Sequence, residues 1–255
     1  MFPKEHGTYG QLGCPVVTAL AIGHGRPAGF LVAAGAIAAF LAYEPLQIVL
    51  GRRGARAKRE FADVARRHVW ARALLALCLG GSGITLGRGD ALRAAIVPVV
   101  LAAAFVSMVS ARREKSAVGE TLAALVLSSA AVPISVCAGA ELRSGAWVAA
   151  SWAAASIIGT LSVRGVIQRS RDGGNARTAW IAAIVAVTVS VAAVALWQRG
   201  VASWAVAASM MGPAAVALGL AIVAPSPKHL RTVGWTLLLV TIVGVGVLVA
   251  GLRSW

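Results

Sequence analysis

Few residues of this 255-residue chain have side chains suited to chemistry. The densest group opens it: Lys4, Glu5 and His6 stand side by side. Histidine titrates near neutrality, and a partly buried glutamate is drawn toward the same range. Glu5 and His6 are therefore candidates for moving a proton. Glu44 is the second feature, placed after Tyr43 and before Pro45, with the apolar run Leu46-Gln47-Ile48-Val49-Leu50 beyond it. An ionisable group at such a place costs roughly 2–3 kcal/mol at membrane depth, and it faces a partner or a cavity unless it snorkels to the interface. Pro45 frees a backbone carbonyl one turn earlier and loosens the helix beside it. Lys115, Arg164 and Lys228 add positive charge near the ends of apolar segments. Bases gathered at one mouth with helix N-termini suit a phosphate, a carboxylate or an anionic lipid headgroup. Taken singly, each also reads as a lipid anchor. The ligand-binding candidates are thus Lys4, Glu5, His6, Glu44, Lys115, Arg164 and Lys228.

Other chemistries find little footing. His6, His68 and His229 fall on one side of the membrane, but no two share a ligand spacing. The three aspartates, Asp63, Asp90 and Asp172, form no Asp-x-x-x-Asp cluster that could chelate magnesium on a diphosphate. Phosphate-binding glycine loops, Gly-x-Ser-x-Gly and His-Glu-x-x-His are all missing from the sequence. No metal and no cofactor is expected. Cys14, Cys78 and Cys137 are isolated within apolar spans and read as packing residues.

The elements that must position these groups follow from composition. The chain is 58% apolar and 13% charged, with a mean hydropathy of +0.79. Soluble domains run near 45–50% apolar and about 25% charged, so an ordinary soluble enzyme and a disordered tail are excluded. Nine stretches approach the roughly 20 apolar residues that a spanning helix needs. They lie near 4–22, 28–50, 73–87, 92–111, 120–139, 145–167, 178–197, 201–224 and 232–252. The predicted fold is all-α, one polytopic domain over residues 1–255, with a basic cytoplasmic loop at 51–72 in which Glu60 and Asp63 sit on an amphipathic helix.

The net charge of +15 could suggest nucleic acid, but its distribution fits topology. Nine spans place 18 of the 24 Lys and Arg residues on one face and 6 on the other. Such alternation sets the N-terminus in the cytoplasm and the C-terminus outside a bacterial cytoplasmic membrane. The expected partners are anionic headgroups at the cytoplasmic face and a small anionic or hydrophobic ligand, not nucleic acid. Seven of the nine acids share the basic face; Asp90 and Glu141 lie opposite.

The first span is the most constrained. Thr8 to Ile22 gives about 22 Å of helix, short of a core of about 30 Å. The helix must start near Pro3, which draws Lys4, Glu5 and His6 to the membrane boundary. Ala19-Leu20-Ala21 imitates a leader cleavage site, but the residues before it lack the apolar core of a leader. Gly7, Gly10 and Gly13 form a small-residue stripe for close helix approach. The two longest cytoplasmic connections follow spans 2 and 6, as two four-helix repeats plus a ninth helix would give.

Pro3-Lys4-Glu5-His6-Gly7, followed by Tyr9 and Pro15, resembles the signature of the YwiC-like family of bacterial membrane proteins. Further likenesses are Tyr43-Glu44-Pro45, Arg113-Glu114-Lys115, Gly159-Thr160 with Arg164, Pro213, and Pro227-Lys228 with Val233-Gly234. Tyr9 stands near where the family usually has tryptophan, and Glu44 where many members carry an apolar residue. The layout is also similar to UbiA-type intramembrane prenyltransferases, in which Asp-rich motifs ending helices 2 and 6 hold magnesium diphosphate. Tyr43-Glu44-Pro45 and Ser162-Val163-Arg164 occupy those places here. The resemblance implies a related bundle with a cytoplasm-facing polar cavity for an anionic or isoprenoid-type molecule, without magnesium–diphosphate prenyl transfer. A small-solute transporter or permease and a non-catalytic membrane assembly subunit are the alternatives.

Overall fold

A computed structural model describes residues 6–87, 89–171 and 176–255. Among these residues the secondary structure is helical, with no strand. The helices are α1 (His6–Ile22), α2 (Pro27–Leu41), α3 (Tyr43–Val49), α4 (Ala55–Leu86), α5 (Ala91–Ser110), α6 (Ala117–Ser129), α7 (Ala131–Ala138), α8 (Leu142–Arg171), α9 (Arg177–Gln198), α10 (Trp204–Val223) and α11 (Leu230–Arg253). A turn of 3₁₀ helix at Pro227–His229 precedes α11. Eight segments of the described residues are long and apolar enough to cross a membrane, two of them composite: α2 with α3, and α6 with α7. Tyr9–Ile22, within α1, is a shorter apolar helix. The all-α polytopic architecture and its order of spans match the hydropathy reading.

The backbone forms two compact units, Met1–Ala146 and Trp147–Trp255. α1 and four of the eight spanning segments fall in the first, and the other four fall in the second apart from the opening turn of α8. In the first unit α2 runs along α4, α3 also packs on α4, α7 contacts α1 and α2, and α5 lies against α6 and α7. In the second, α10 packs between α9 and α11, and Ile158 of α8 is buried with Ala186 and Ala217.

Small residues line these interiors. Ala179, Ala183 and Ala221 form one buried cluster, while Leu77, Val99, Ile184 and Leu239 point outward. Lipid removes the hydrophobic reason to bury large side chains, so close backbone approach decides the packing. A Cβ at Gly35 would stand 2.7 Å from the Gly80 backbone nitrogen, and one at Gly83 would stand 2.6 Å from Val32 Cγ2. Those glycines carry a close approach that Gly10 and Gly13 of the N-terminal stripe do not. Nothing lies within 4 Å of a Cβ built at Gly10 or Gly13.

The basic segment also differs from a loop. Only the turn around Gly51 and Gly54, with φ of +73° and +95°, separates α3 from α4. Residues 55–72 are the first part of a 32-residue helix. Alanine, arginine, lysine and glutamate all favour helix, and Arg56 pairs with Glu60 one turn on at 2.9 Å. The expected amphipathic helix around Glu60 and Asp63 is present and runs unbroken into the span.

Two spans break at corresponding points. The α2–α3 junction at Ala42 and the α6–α7 junction at Ala130 each lie three residues before a proline, Pro45 and Pro133. A proline within a helix clashes with the preceding turn and leaves the carbonyl four residues back without its usual donor.

Candidate functional site

The first break carries the best-defined polar cluster. Leu41 is the residue whose carbonyl Pro45 cannot serve, and Arg72 of α4 supplies the missing donor through Nη1. One turn further, Glu44 lies in the first turn of α3 and is only 5% exposed. Its Oε2 accepts from Arg53 Nη2 at 2.5 Å. Gln47, on the same helix, is equally buried. Arg52 donates through Nη2 to the carbonyl of Ser110, the last residue of α5. A guanidinium there complements the negative end of the helix dipole. Tyr43 packs on Phe105 at 5.7 Å between ring centres, and Tyr9 meets Phe40 edge-on at 5.4 Å. Three arginines from the turn and from α4 thus converge on the α2–α3 break and the end of α5.

The chemical character of this cluster is that of a part-buried ion pair inside a basic surround. Arg53 is the partly exposed member, with 30% of its side chain accessible against 7% for Glu44. Both its position and that of Arg72 read in the sequence as topological charge alone. The one signal that could have found Arg72 was the carbonyl freed by Pro45, which needs a donor from somewhere in a low-dielectric setting.

The remaining candidates lie on other elements. Lys115 is exposed in the turn between α5 and α6, beside Glu114, whose Oε2 is buried without a hydrogen-bond partner. Ser116 caps α6 by accepting from the Gly119 amide at 3.1 Å. In the second unit Arg164 is half-buried on α8, and Lys228 is exposed in the 3₁₀ turn. His6 is the first residue of α1. Lys4 and Glu5 lie outside the described residues, as do Arg88 and Asp172.

Two concavities are lined by other residues. In the first unit Asp90 and Glu141, the two acids assigned to the less basic face, line an open hollow of about 280 Å³ with Gly139 and Ala140. In the second, Ser151, Ser209, Met210, Pro213 and Thr241 line an interior space of about 10 Å³. That is close to the smallest volume that holds one water. Among the described residues no three His, Cys, Asp or Glu side chains gather in a way that could hold a metal ion. Cys14, Cys78 and Cys137 are free thiols.

The family model described as YwiC-like protein matches residues 2–136, more than half of the chain. The chain belongs to the YwiC-like family. Within that match lie the Pro-Lys-Glu-His-Gly opening, the Tyr43-Glu44-Pro45 break, the arginines bound to it and Arg113-Glu114-Lys115. All fall in the first compact unit. Arg164 and Lys228 lie beyond the YwiC-like match. No curated protein and no solved structure matches the chain.

Proposed function

We propose that this YwiC-like protein is a multi-pass protein of a bacterial cytoplasmic membrane whose basic face holds a polar cavity for an anionic or isoprenoid-type small molecule. In this reading the N-terminus is inside and the C-terminus outside. The residues proposed to contact the ligand are Lys4, Glu5, His6, Glu44 and Lys115 in the family-matched part and Arg164 and Lys228 in the second unit; Glu5 and His6 would move a proton, and magnesium–diphosphate transfer plays no part. The bundle is UbiA-like in layout. The observation that carries the proposal is the buried Glu44, paired with the partly exposed Arg53 where Pro45 breaks the second span. Ionisable groups at membrane depth are costly and mark functional positions. Broken helices offer backbone groups to bound ligands.

The test is binding of farnesyl monophosphate to the purified full-length protein, by titration with and without EDTA. The expected result is binding that survives EDTA and weakens at least about tenfold in Lys4→Gln and in Arg164→Gln, one lost charged hydrogen bond each. No binding, or binding indifferent to both substitutions, would refute it. The paired breaks at Ala42 and Ala130 favour a second reading, a small-solute permease, because interrupted spans build transport sites. Uptake of a phosphate ester by proteoliposomes, abolished by Lys4→Ala, would select it.

A further inference from the structure

α4 is far longer than a membrane requires. Its 32 residues extend about 48 Å, against a hydrocarbon core of about 30 Å. Roughly 20 residues counted back from Leu86 reach Arg67. The helix beyond that point leaves the core while continuing unbroken for a further 18 Å or so.

The part that leaves is patterned. Arg56, Arg59, Asp63, Arg66, Arg67 and Trp70 recur at helical spacing and share one face within about 100° of arc. All six are exposed, and Ala65, on the opposite side, is fully buried. Trp70 is 71% exposed at the point where the charged run meets the apolar one. Tryptophan beside arginine at such a boundary is the arrangement of membrane–water interfaces. From Arg52 to Arg72 there are eight bases and two acids. The acids engage Arg56 at 2.9 Å and Arg66 at 3.6 Å, both in exposed pairs that contribute little. Arg59 and Arg67 have no acidic partner among the described residues.

We propose that this face of α4 is a docking site for the phosphodiester headgroups of anionic phospholipid, with Trp70 at the interface, Arg66 and Arg67 among the phosphates and Arg59 within reach of the surface potential. Arg59 stands about 10 Å above Arg66 along the axis, comparable to the Debye length. The charge fits the occupant. A net positive stripe continuous with a spanning helix meets a negatively charged leaflet at the depth where its phosphates lie. The site needs α4 to cross the bilayer, but neither the small-molecule cavity nor a particular sense of insertion, so the two proposals fail separately.

The experiment uses full-length protein in micelles containing equal phosphatidylglycerol and phosphatidylcholine, with retained lipids counted by native mass spectrometry. Wild type is expected to prefer phosphatidylglycerol. Each of three arginines contributes about fivefold, so R59Q/R66Q/R67Q is expected to lose about 100-fold of that preference, at unchanged helical content. Where the triple variant does not fold, Arg67→Gln alone is expected to lose about fivefold. Arg93→Gln, in the first turn of α5 just past the Leu86 end of α4, serves as the control and is expected to keep the preference. A preference retained within twofold in the folded arginine variants would overturn the proposal. So would wild-type retention of an acidic protein or nucleic acid without any preference for phosphatidylglycerol.

Discussion

The contact between Arg72 and the Leu41 carbonyl gives the sharpest test of how this membrane fold is held. Pro45 removes the amide that would have served Leu41, and α4 supplies a guanidinium instead. Replacing Arg72 by methionine keeps most of the apolar stem and strands the carbonyl. An unsatisfied, partly buried acceptor costs about 1–3 kcal/mol, and a value of about 2 kcal/mol is expected here. That is a sizeable share of a typical folding free energy of about 5–15 kcal/mol. Pro45→Ala restores the missing amide, and Ala42 already has helical backbone angles of φ −70° and ψ −18°. The helix can therefore close its own bond. In that background Arg72→Met is expected to cost no more than about 0.5 kcal/mol from this carbonyl, a coupling of about 1.5 kcal/mol. Arg72 has other contacts, but they are removed equally in both backgrounds and cancel from the cycle. Denaturant unfolding of detergent-solubilised protein, followed by tryptophan fluorescence, measures all four corners. Equal costs of Arg72→Met with proline and with alanine at 45 would refute the claim that the guanidinium replaces the proline's missing donor.

Glycine substitutions separate close contact from mere small size. Gly35→Ala is expected to destabilise by about 1–3 kcal/mol, because the new methyl meets backbone of α4 at 2.7 Å. Gly10→Ala is expected to stabilise by about 0.5–1 kcal/mol, since a helical glycine with open space beside it gains only from reduced unfolded-state freedom. Unfolding midpoints of the two variants decide. Ser203 and Ser151 form a similar contrast, both 2% exposed. Ser203 accepts from the Ala205 amide and donates to the Gly251 carbonyl at 3.1 Å, so Ser203→Ala is expected to cost about 1–2 kcal/mol. Ser151 has no partner for its hydroxyl, and Ser151→Ala is expected to change stability by less than about 0.5 kcal/mol. A loss above about 1 kcal/mol there would mean that a water fills the adjacent space and bonds to it.

Most span boundaries were legible because hydropathy reports transfer into lipid residue by residue, without reference to neighbours. α9 and α10 fall close to the predicted 178–197 and 201–224. The start of α4 was not, because charge ends a hydropathy window while doing nothing to end a helix. The close approach expected at Gly10 and Gly13 was misplaced for a related reason. A run of small residues permits close approach on any face, and only the partner helix decides which glycines are used.

The sequence by itself determined an all-α membrane protein, the order of its spans, and the uneven placement of its charge. It also held the signals for a proline-broken second span with a glutamate at the break. Each of these is a property of single residues or of near neighbours along the chain. Tertiary structure alone decided which arginines answer that break. Arg53 comes from the following turn, Arg72 from the middle of the next helix, and Arg52 reaches across to the end of α5. Guanidiniums are long and similar, so many bases near a membrane boundary could serve a given acceptor. Only the packing of α2, α3 and α5 around α4 fixes which one is within reach.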